Sequence, residues 1–581
     1  MSSILFLKNK QFNKMKIHWF FFFLLYTSAG LGQTRYYSDP VKIPLNLSGS
    51  FAELRSNHFH SGIDIKTKGV SGIPVNSVAD VFISRIVVSP TGFGRALYID
   101  HPNGTTSVYA HLKNFSEDIE EYIKDEQYKR QSFKVDLQIP RNRFKVMRDE
   151  IIAYSGNSGS SGGPHLHFEI RDTESEEPMN PLKYQFPVKD NTAPKIFSLM
   201  AVPLGKQSHV NNSNGKQKFS VVFYDGSFHL HGNPTVPLFG NVGFAIQTND
   251  YFDNSWNKCG IYSLKMKIDG ELYYSFNMDR FAFQETRYLN SHIDYAEYKT
   301  SGRRYIKTWL EPGNKLRIYD YVREKGIYNF DDGNIHHIRF ELTDIHGNVS
   351  LLLFNVVSKF SKIPVSEDQY SVLFEYDRSN RFKEGNIRLD IPQGALYADT
   401  PFNYAIKHGG AGFYSDVHRI HNDKTPLHQS AQIRLKVNKL PKELQSKALL
   451  VNVDPKSAKI RAVGGEYNNG WIVSSIREFG NYAVAVDTVA PVIIPLSIRN
   501  SSELLESNRI RFKISDDLAG IEKIEGYLDG KWMLFEWDPK THIIAHYFDA
   551  ERFELNKRHR FVLTVTDYRG NTKKYEASFW K

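Results

Sequence analysis

Gly163-Pro164-His165-Leu166-His167-Phe168-Glu169-Ile170 is the stretch on which the reading of this chain turns. Leu166, Phe168 and Ile170 alternate with His165, His167 and Glu169. Alternate residues of a strand share a face, so the pattern predicts a strand with two imidazoles on one side and an apolar row toward a core. Pro164 stands at the start of that strand, where its missing N–H does least harm. Upstream, Ser155-Gly156-Asn157-Ser158-Gly159-Ser160-Ser161-Gly162-Gly163 is a loop of small residues that can pass close to a bound chain. Glu169 reads equally as a partner that orients a histidine and as a solvated acid.

Working outward, two more segments carry chemistry: His60-Ser61-Gly62-Ile63-Asp64 and Tyr109-Ala110-His111-Leu112. Gly62 and the β-branched Ile63 and Ile65 favour strand or turn over helix. A bend at Gly62 then brings His60 and Asp64 to one ion. Two imidazoles and a carboxylate suit Zn²⁺, and three protein ligands leave a fourth position for water, whose pKa zinc lowers to about 7. Two further histidines would serve as proton acceptor and as stabiliser of a tetrahedral intermediate.

The three segments together resemble the lysostaphin/LytM-type metallopeptidases, a family of peptidoglycan hydrolases. The family pattern is H-x-x-x-D, then a lone His followed by Leu, then H-x-H, and all three occur here in order across roughly residues 50–183. The resemblance implies a small antiparallel β fold with its site in an open groove. It implies Zn²⁺ held by His60, Asp64 and His167, with His111 and His165 as the catalytic pair. The implied substrate is a peptide cross-link or stem of peptidoglycan. This chain departs from the pattern in two places. Between His111 and His165 it is longer, because Glu117–Arg130, with Ile119, Tyr122 and Ile123 at helical spacing, predicts an amphipathic helical insertion. The turn glycine usual before Glu150-Ile151-Ile152-Ala153 is replaced near Arg148-Asp149. Both bear on groove shape and substrate choice.

At 581 residues the chain is too long for one core and predicts three to five domains. Aromatic residues make up 14%, a β-rich signature because rings pack well on pleated sheets. A net charge of +10 suits an anionic partner, but no Lys/Arg block interleaved with aromatics is present, so nucleic acid is not expected. Lys8, Lys10, Lys14 and Lys16 precede an apolar run over 17–26, followed by small residues at Ser28, Ala29, Gly30 and Gly32. This is the layout of a signal peptide over 1–32, and it predicts export to the periplasm or cell surface, with an uncleaved anchor as the other reading. No other stretch is apolar enough to span a bilayer, so no transmembrane segment is expected after cleavage. Cys259 is the only cysteine, which excludes an internal disulfide and predicts a buried thiol.

The fold class expected is mainly β: a peptidase domain over 36–189 with its helical insertion, followed by β-sandwiches. Ala96–Asp100 and Thr105–His111 flank Pro102-Asn103-Gly104, a hairpin signal. Beyond residue 189 the chain repeats itself. Asp190-Asn191-Thr192-Ala193-Pro194 recurs as Asp487-Thr488-Val489-Ala490-Pro491. Gly260-Ile261 with Asp269-Gly270 recurs as Gly520-Ile521 with Asp529-Gly530, and Thr343-Asp344-Ile345-His346-Gly347-Asn348 as Thr566-Asp567-Tyr568-Arg569-Gly570-Asn571. Two immunoglobulin-like copies are expected, over 190–358 (with insertions) and 487–581. Residues 365–486 predict a further β-sandwich, in which Ile391-Pro392-Gln393-Gly394-Ala395-Leu396 resembles a motif of the β-sandwiches of ankyrins and netrin receptors. The repeated Asp-Gly and Thr-Asp-x-x-Gly-Asn motifs read as β-turns before they read as calcium ligands.

His229-Leu230-His231 is a second H-x-H, but it lacks the Gly-Gly-Pro lead, and no H-x-x-x-D lies in its unit, so no metal is expected there. His542 and His546 lack the adjacent Glu of a metalloprotease helix and read as structural. The leading expectation is an exported zinc endopeptidase acting on peptidoglycan, with protein partners or wall attachment assigned to the tail. The alternatives are a non-catalytic binding or activator module and a surface adhesin or scaffold.

Overall fold

In the computed structural model, which describes residues 35–581 apart from 254, 365–368, 505–507, 550 and 555, the histidine-bearing stretch is a strand as its alternation requires. The signal peptide expected at 1–32 lies outside the described residues. The first unit runs β1 (Leu47–Gly49), β2 (Ile63–Lys66), β3 (Pro74–Asn76), β4 (Val81–Val88), β5 (Arg95–Asp100), β6 (Thr105–Ala110), β7 (Asn114–Phe115), α1 (Glu117–Arg130), β8 (Val135–Gln138), β9 (Lys145–Val146), β10 (Ile151–Tyr154), β11 (His165–Asp172) and β12 (Pro178–Met179). One sheet takes the order β1-β2-β11-β6-β5-β4-β8, with β12 added on β11 and β9 on β4; a second takes β3-β10-β7. Every pairing is antiparallel.

Local chemistry accounts for these elements. Pro102-Asn103-Gly104 turns β5 into β6, with Gly104 at φ +79°, a conformation glycine adopts without a Cβ clash. Ile63, Ile65, Leu166, Phe168 and Ile170 are all buried in the core beneath the sheet. Helix α1 spans Glu117–Arg130 and buries Ile119 and Ile123, with Tyr122 half-buried. Asp149, at φ +69°, takes the left-handed position where the family pattern has glycine, and its carboxylate bonds Lys42. Aspartate is among the few side chains that tolerate that region.

The remainder is also β. Over 195–358 a single sheet closes on itself: the long strand Thr235–Asn249 pairs antiparallel with Lys195–Pro203 and parallel with Val349–Ser358. The next stretch has two five-stranded sheets around a core that includes Leu389, Ile433 and Ile472. The last has a four-stranded and a five-stranded sheet around Phe512, Phe561 and Phe579.

The first unit is tied to the rest by exchanged core residues. Phe51, Ala52 and Phe59, from the loop between β1 and β2, are buried in the cluster that holds Ile261, Leu264 and Phe276. In return, Phe252 and Cys259 are buried in the first unit's core. At the other end, α1 receives the C-terminal strands. Tyr128 meets Trp532 edge-on at 5.4 Å, Lys124 pairs with Asp549 at 2.5 Å, and Arg552 bonds Asp125. Among the described residues no helix is long and apolar enough to cross a membrane.

Candidate metal and catalytic centre

Strand register brings the site together. On β11, His167 lies opposite Asp64 of β2 on one side and Ala110 of β6 on the other. Directly opposed residues of an antiparallel pair put their side chains on the same face. Asp64 is therefore delivered to His167, and His111 follows one residue past the end of β6. His111 has φ +58°, so the chain turns sharply there, and its Nδ1 donates to the Ser158 carbonyl at 2.9 Å. Gly62 allows the bend expected between His60 and Asp64: a Cβ at that position would stand 2.3 Å from the Phe168 carbonyl oxygen.

Three donor atoms converge. His60 Nε2, Asp64 Oδ1 and His167 Nδ1 lie 3.0 Å from one another in all three pairings. All three residues are buried. The far side of each imidazole is committed: His60 Nδ1 donates to the Ser50 carbonyl at 2.7 Å, and His167 Nε2 donates to Glu169 Oε1 at 2.8 Å. Those two bonds leave the lone pairs of His60 Nε2 and His167 Nδ1 facing each other and a carboxylate oxygen, an arrangement that repels unless a proton or cation stands between them. The donor set of two imidazoles and one carboxylate fits Zn²⁺, whose tetrahedral ligands at 2.0–2.1 Å are about 3.3 Å apart.

The electrostatics agree with that geometry. Burial works against a charge on Asp64, yet His60 and the bonds from His165, His167 and His60 hold its carboxyl well below the usual range. Burial opposes a proton on His167, but Asp64 and Glu169 together hold its pKa up at about 9. His165 turns Nε2 to within 3.3 Å of Asp64 Oδ1, while its Nδ1 donates to the Gly163 carbonyl at 2.8 Å. His111 and His165 face each other with ring centroids 4.9 Å apart. Burial, with His167 and His165 beside it, keeps His111 neutral, its pKa down at about 3. The five residues singled out in the sequence therefore meet in one place.

Glu169, open between two readings in the sequence, is fully buried. It bonds His167, Ser61 and Arg171, and despite burial Arg171 and His167 hold it ionised, with a pKa down at about 2. Three contributors went unseen. Arg55 Nη2 reaches the second Asp64 oxygen at 2.9 Å and so fixes which oxygen faces the histidines. Phe93 stacks on the His167 ring at 5.2 Å. Arg171 continues the polar alternation of β11 by one more step, and that period-two signal could have found it; nothing in the sequence marks Arg55 or Phe93. The small-residue loop serves backbone packing: a Cβ on Gly159 would stand 2.3 Å from the Gly94 nitrogen. The loop is also held from the C-terminal strands, where Lys540 Nζ reaches the Ser161 carbonyl at 3.3 Å and bonds that of Asn157.

The histidine-aspartate pattern resembles that of the lysostaphin/LytM-type peptidases, and comparison with known proteins bears out that resemblance over part of the chain. The chain is 30% identical over 139 residues to the DD-carboxypeptidase/endopeptidase Mpg of Neisseria meningitidis serogroup B, which is 24% of this chain and 26% of that protein. It is 29% identical over 128 residues to an uncharacterized metalloprotease of Haemophilus influenzae, 22% of this chain and 21% of that one. The chain thus spans about a quarter of the length of these curated relatives. Among solved structures, a zinc-containing peptidase from Vibrio cholerae is 25% identical, covering 26% of this chain and 40% of that one with a TM-score of 0.19. The Zu5-like domain family matches residues 371–487.

Proposed function

We propose that the first unit is a zinc endopeptidase that hydrolyses peptide bonds of peptidoglycan outside the cytoplasm. The observation that carries this reading is the 3.0 Å convergence of His60 Nε2, Asp64 Oδ1 and His167 Nδ1, with His111 and His165 on its flank. Bound there, zinc supplies Lewis acidity and a water that loses its proton near neutral pH. The chain's own residues supply the remaining parts. His111 has Nδ1 committed to Ser158, so its Nε2 holds the lone pair that accepts a proton. His165 has Nδ1 committed to the Gly163 carbonyl and Nε2 turned toward Asp64 Oδ1, so as an imidazolium it would donate from Nε2 to charge developing on the substrate oxygen. Glu169 and the Ser50 carbonyl hold the two ligand imidazoles in the tautomers that point lone pairs inward.

The lysine-rich, apolar N-terminal segment supports export, and the net charge of +10 suits an anionic wall polymer. The test incubates the purified protein with isolated sacculi and separates the released fragments by mass spectrometry. Soluble peptide-cleaved fragments are expected, lost with a chelator and restored by Zn²⁺, while His111→Ala keeps stoichiometric zinc but releases nothing. Absence of chelator-sensitive release from the wild-type protein overturns the proposal.

A further inference from the structure

The repeated module has a second carboxylate cluster in each copy, away from the histidine centre. In the first copy, ligand atoms of Asp190, Asp344 and His346 lie within 4.8 Å of one another. In the second, Asp487, Asp516 and Asp567 do the same. Asp190 and Asp487 open the two matching sequence motifs, and Asp344 and Asp567 are the aspartates of Thr-Asp-x-x-Gly-Asn. The first cluster is completed by His346 and the second by Asp516, but Asp516 also has a carboxylate counterpart in the first copy, Asp250, which feels the charges of Asp344 and Asp190. Asp516 follows the strand Arg509–Ser515 and precedes Gly520-Ile521; Asp250 follows the strand Thr235–Asn249 and precedes Gly260-Ile261.

Turn chemistry accounts for part of this. Asp344 accepts from the backbone N–H groups of His346 and Asn348, and Asp567 from those of Arg569 and Asn571, so the turn reading of those motifs holds. Asp269-Gly270 and Asp529-Gly530 are hairpin turns, with both residues of each at positive φ and each aspartate spent on a neighbouring histidine, His336 and His559. Turn chemistry does not account for the orphaned oxygens. Asp250 is 3% exposed, and its Oδ1 has no hydrogen-bond partner; the matching oxygen of the second copy, Asp516 Oδ1, has none either. Asp190 Oδ2 is orphaned too, on a side chain with no exposure. It faces His346 Nδ1 at 4.0 Å, and His346 spends its Nε2 proton on the Val188 carbonyl at 2.9 Å. Among the described residues none of the six aspartates pairs with Lys or Arg. A buried, unpaired carboxylate oxygen is costly, and a cluster of them costs more. Burial and the neighbouring Asp344 and Asp190 push the Asp250 carboxyl up to about 8.

We infer that each copy of the module binds one divalent cation of the hard, oxygen-seeking class typified by Ca²⁺, held by Asp190, Asp250 and Asp344 in the first copy and by Asp487, Asp516 and Asp567 in the second. Hard cations take carboxylate and carbonyl oxygens. The histidine of the first cluster is replaced by Arg569 in the second, so the carboxylates are the shared set. Each site lies where its module begins, and Asn348 and Asn571 bond the carbonyls of Asp190 and Asp487 there, so an ion would fasten the entering chain to the end of the sheet.

The test titrates CaCl₂ into the full-length, zinc-loaded protein by calorimetry and follows Tm in parallel. Two saturable equivalents and a rise in Tm are expected. Asp250→Asn removes one equivalent and Asp516→Asn the other. In calcium-free buffer each variant melts no lower than wild type, because the amide relieves repulsion and fills nearly the same space; an aspartate needed only for its turn would melt lower in either buffer. Absence of saturable calcium binding overturns the inference, and binding unchanged by a variant overturns it for that copy.

Discussion

His165-Leu166-His167 and His229-Leu230-His231 are the same tripeptide, and the structure makes different things of them. The first opens an eight-residue strand, so both histidines share its polar face. Its neighbours in register are Asp64 and, next to His111, Ala110. The second comes at the end of the strand Ser227–Leu230, which leaves His231 exposed in the turn. His229 lies opposite Val222 and Leu353; it bonds Ser227 at 2.8 Å and stacks on Tyr224 at 4.1 Å. Among the described residues no carboxylate pairs with it. The lesson is that a pair of histidines becomes a metal centre through what the adjoining strands deliver, not through its own spacing.

The sharpest way to break that comparison is to remove one histidine from each tripeptide. His167→Ala is expected to abolish both zinc retention and cleavage of sacculi, and His231→Ala to change neither; equal behaviour in metal analysis and fragment release would erase the distinction. A milder probe is Glu169→Gln, which keeps shape but weakens the hold on the His167 tautomer. It is expected to lower zinc affinity about 10–100-fold, read by competition with a chromophoric chelator. The smallest effect concerns histidines that the tail uses as neutral core. Burial takes His292 down to about 3 and His418 and His421 to about 4, from 6.5. Because the folded values are depressed, the unfolded chain binds more protons below pH 6.5. Their stabilisation is whole above that pH and declines as pH falls toward the folded values. Tm should therefore drop progressively between about pH 6.5 and 4, and His418→Gln should flatten part of the slope.

What was legible in the sequence was local. The period-two alternation of residues 165–170, the Asn-Gly turn between β5 and β6, and the helical spacing of Ile119 and Ile123 each report a structure formed by neighbours in the chain. Glu169 was half-legible: alternation placed it on the histidine face, but its burial depends on Arg171 and Ser61 closing over it. Arg55 was not legible, because its role depends on the loop between β1 and β2 folding back over Asp64. That loop is set by contacts with residues far along the chain, such as Ser50 Oγ accepting from the Gly260 N–H at 2.9 Å. Pattern reading has no access to such distances.

The insertion of Phe51 and Phe59 into the neighbouring core bears on how this protein can be cut or rebuilt. A chain ending near residue 189 would bare both rings and release the segment that carries the Ser50 carbonyl and Arg55, so a silent fragment would report a collapsed scaffold, not a missing accessory. The first unit is thus no interchangeable cassette: two of its phenylalanines are core residues of the unit that follows it.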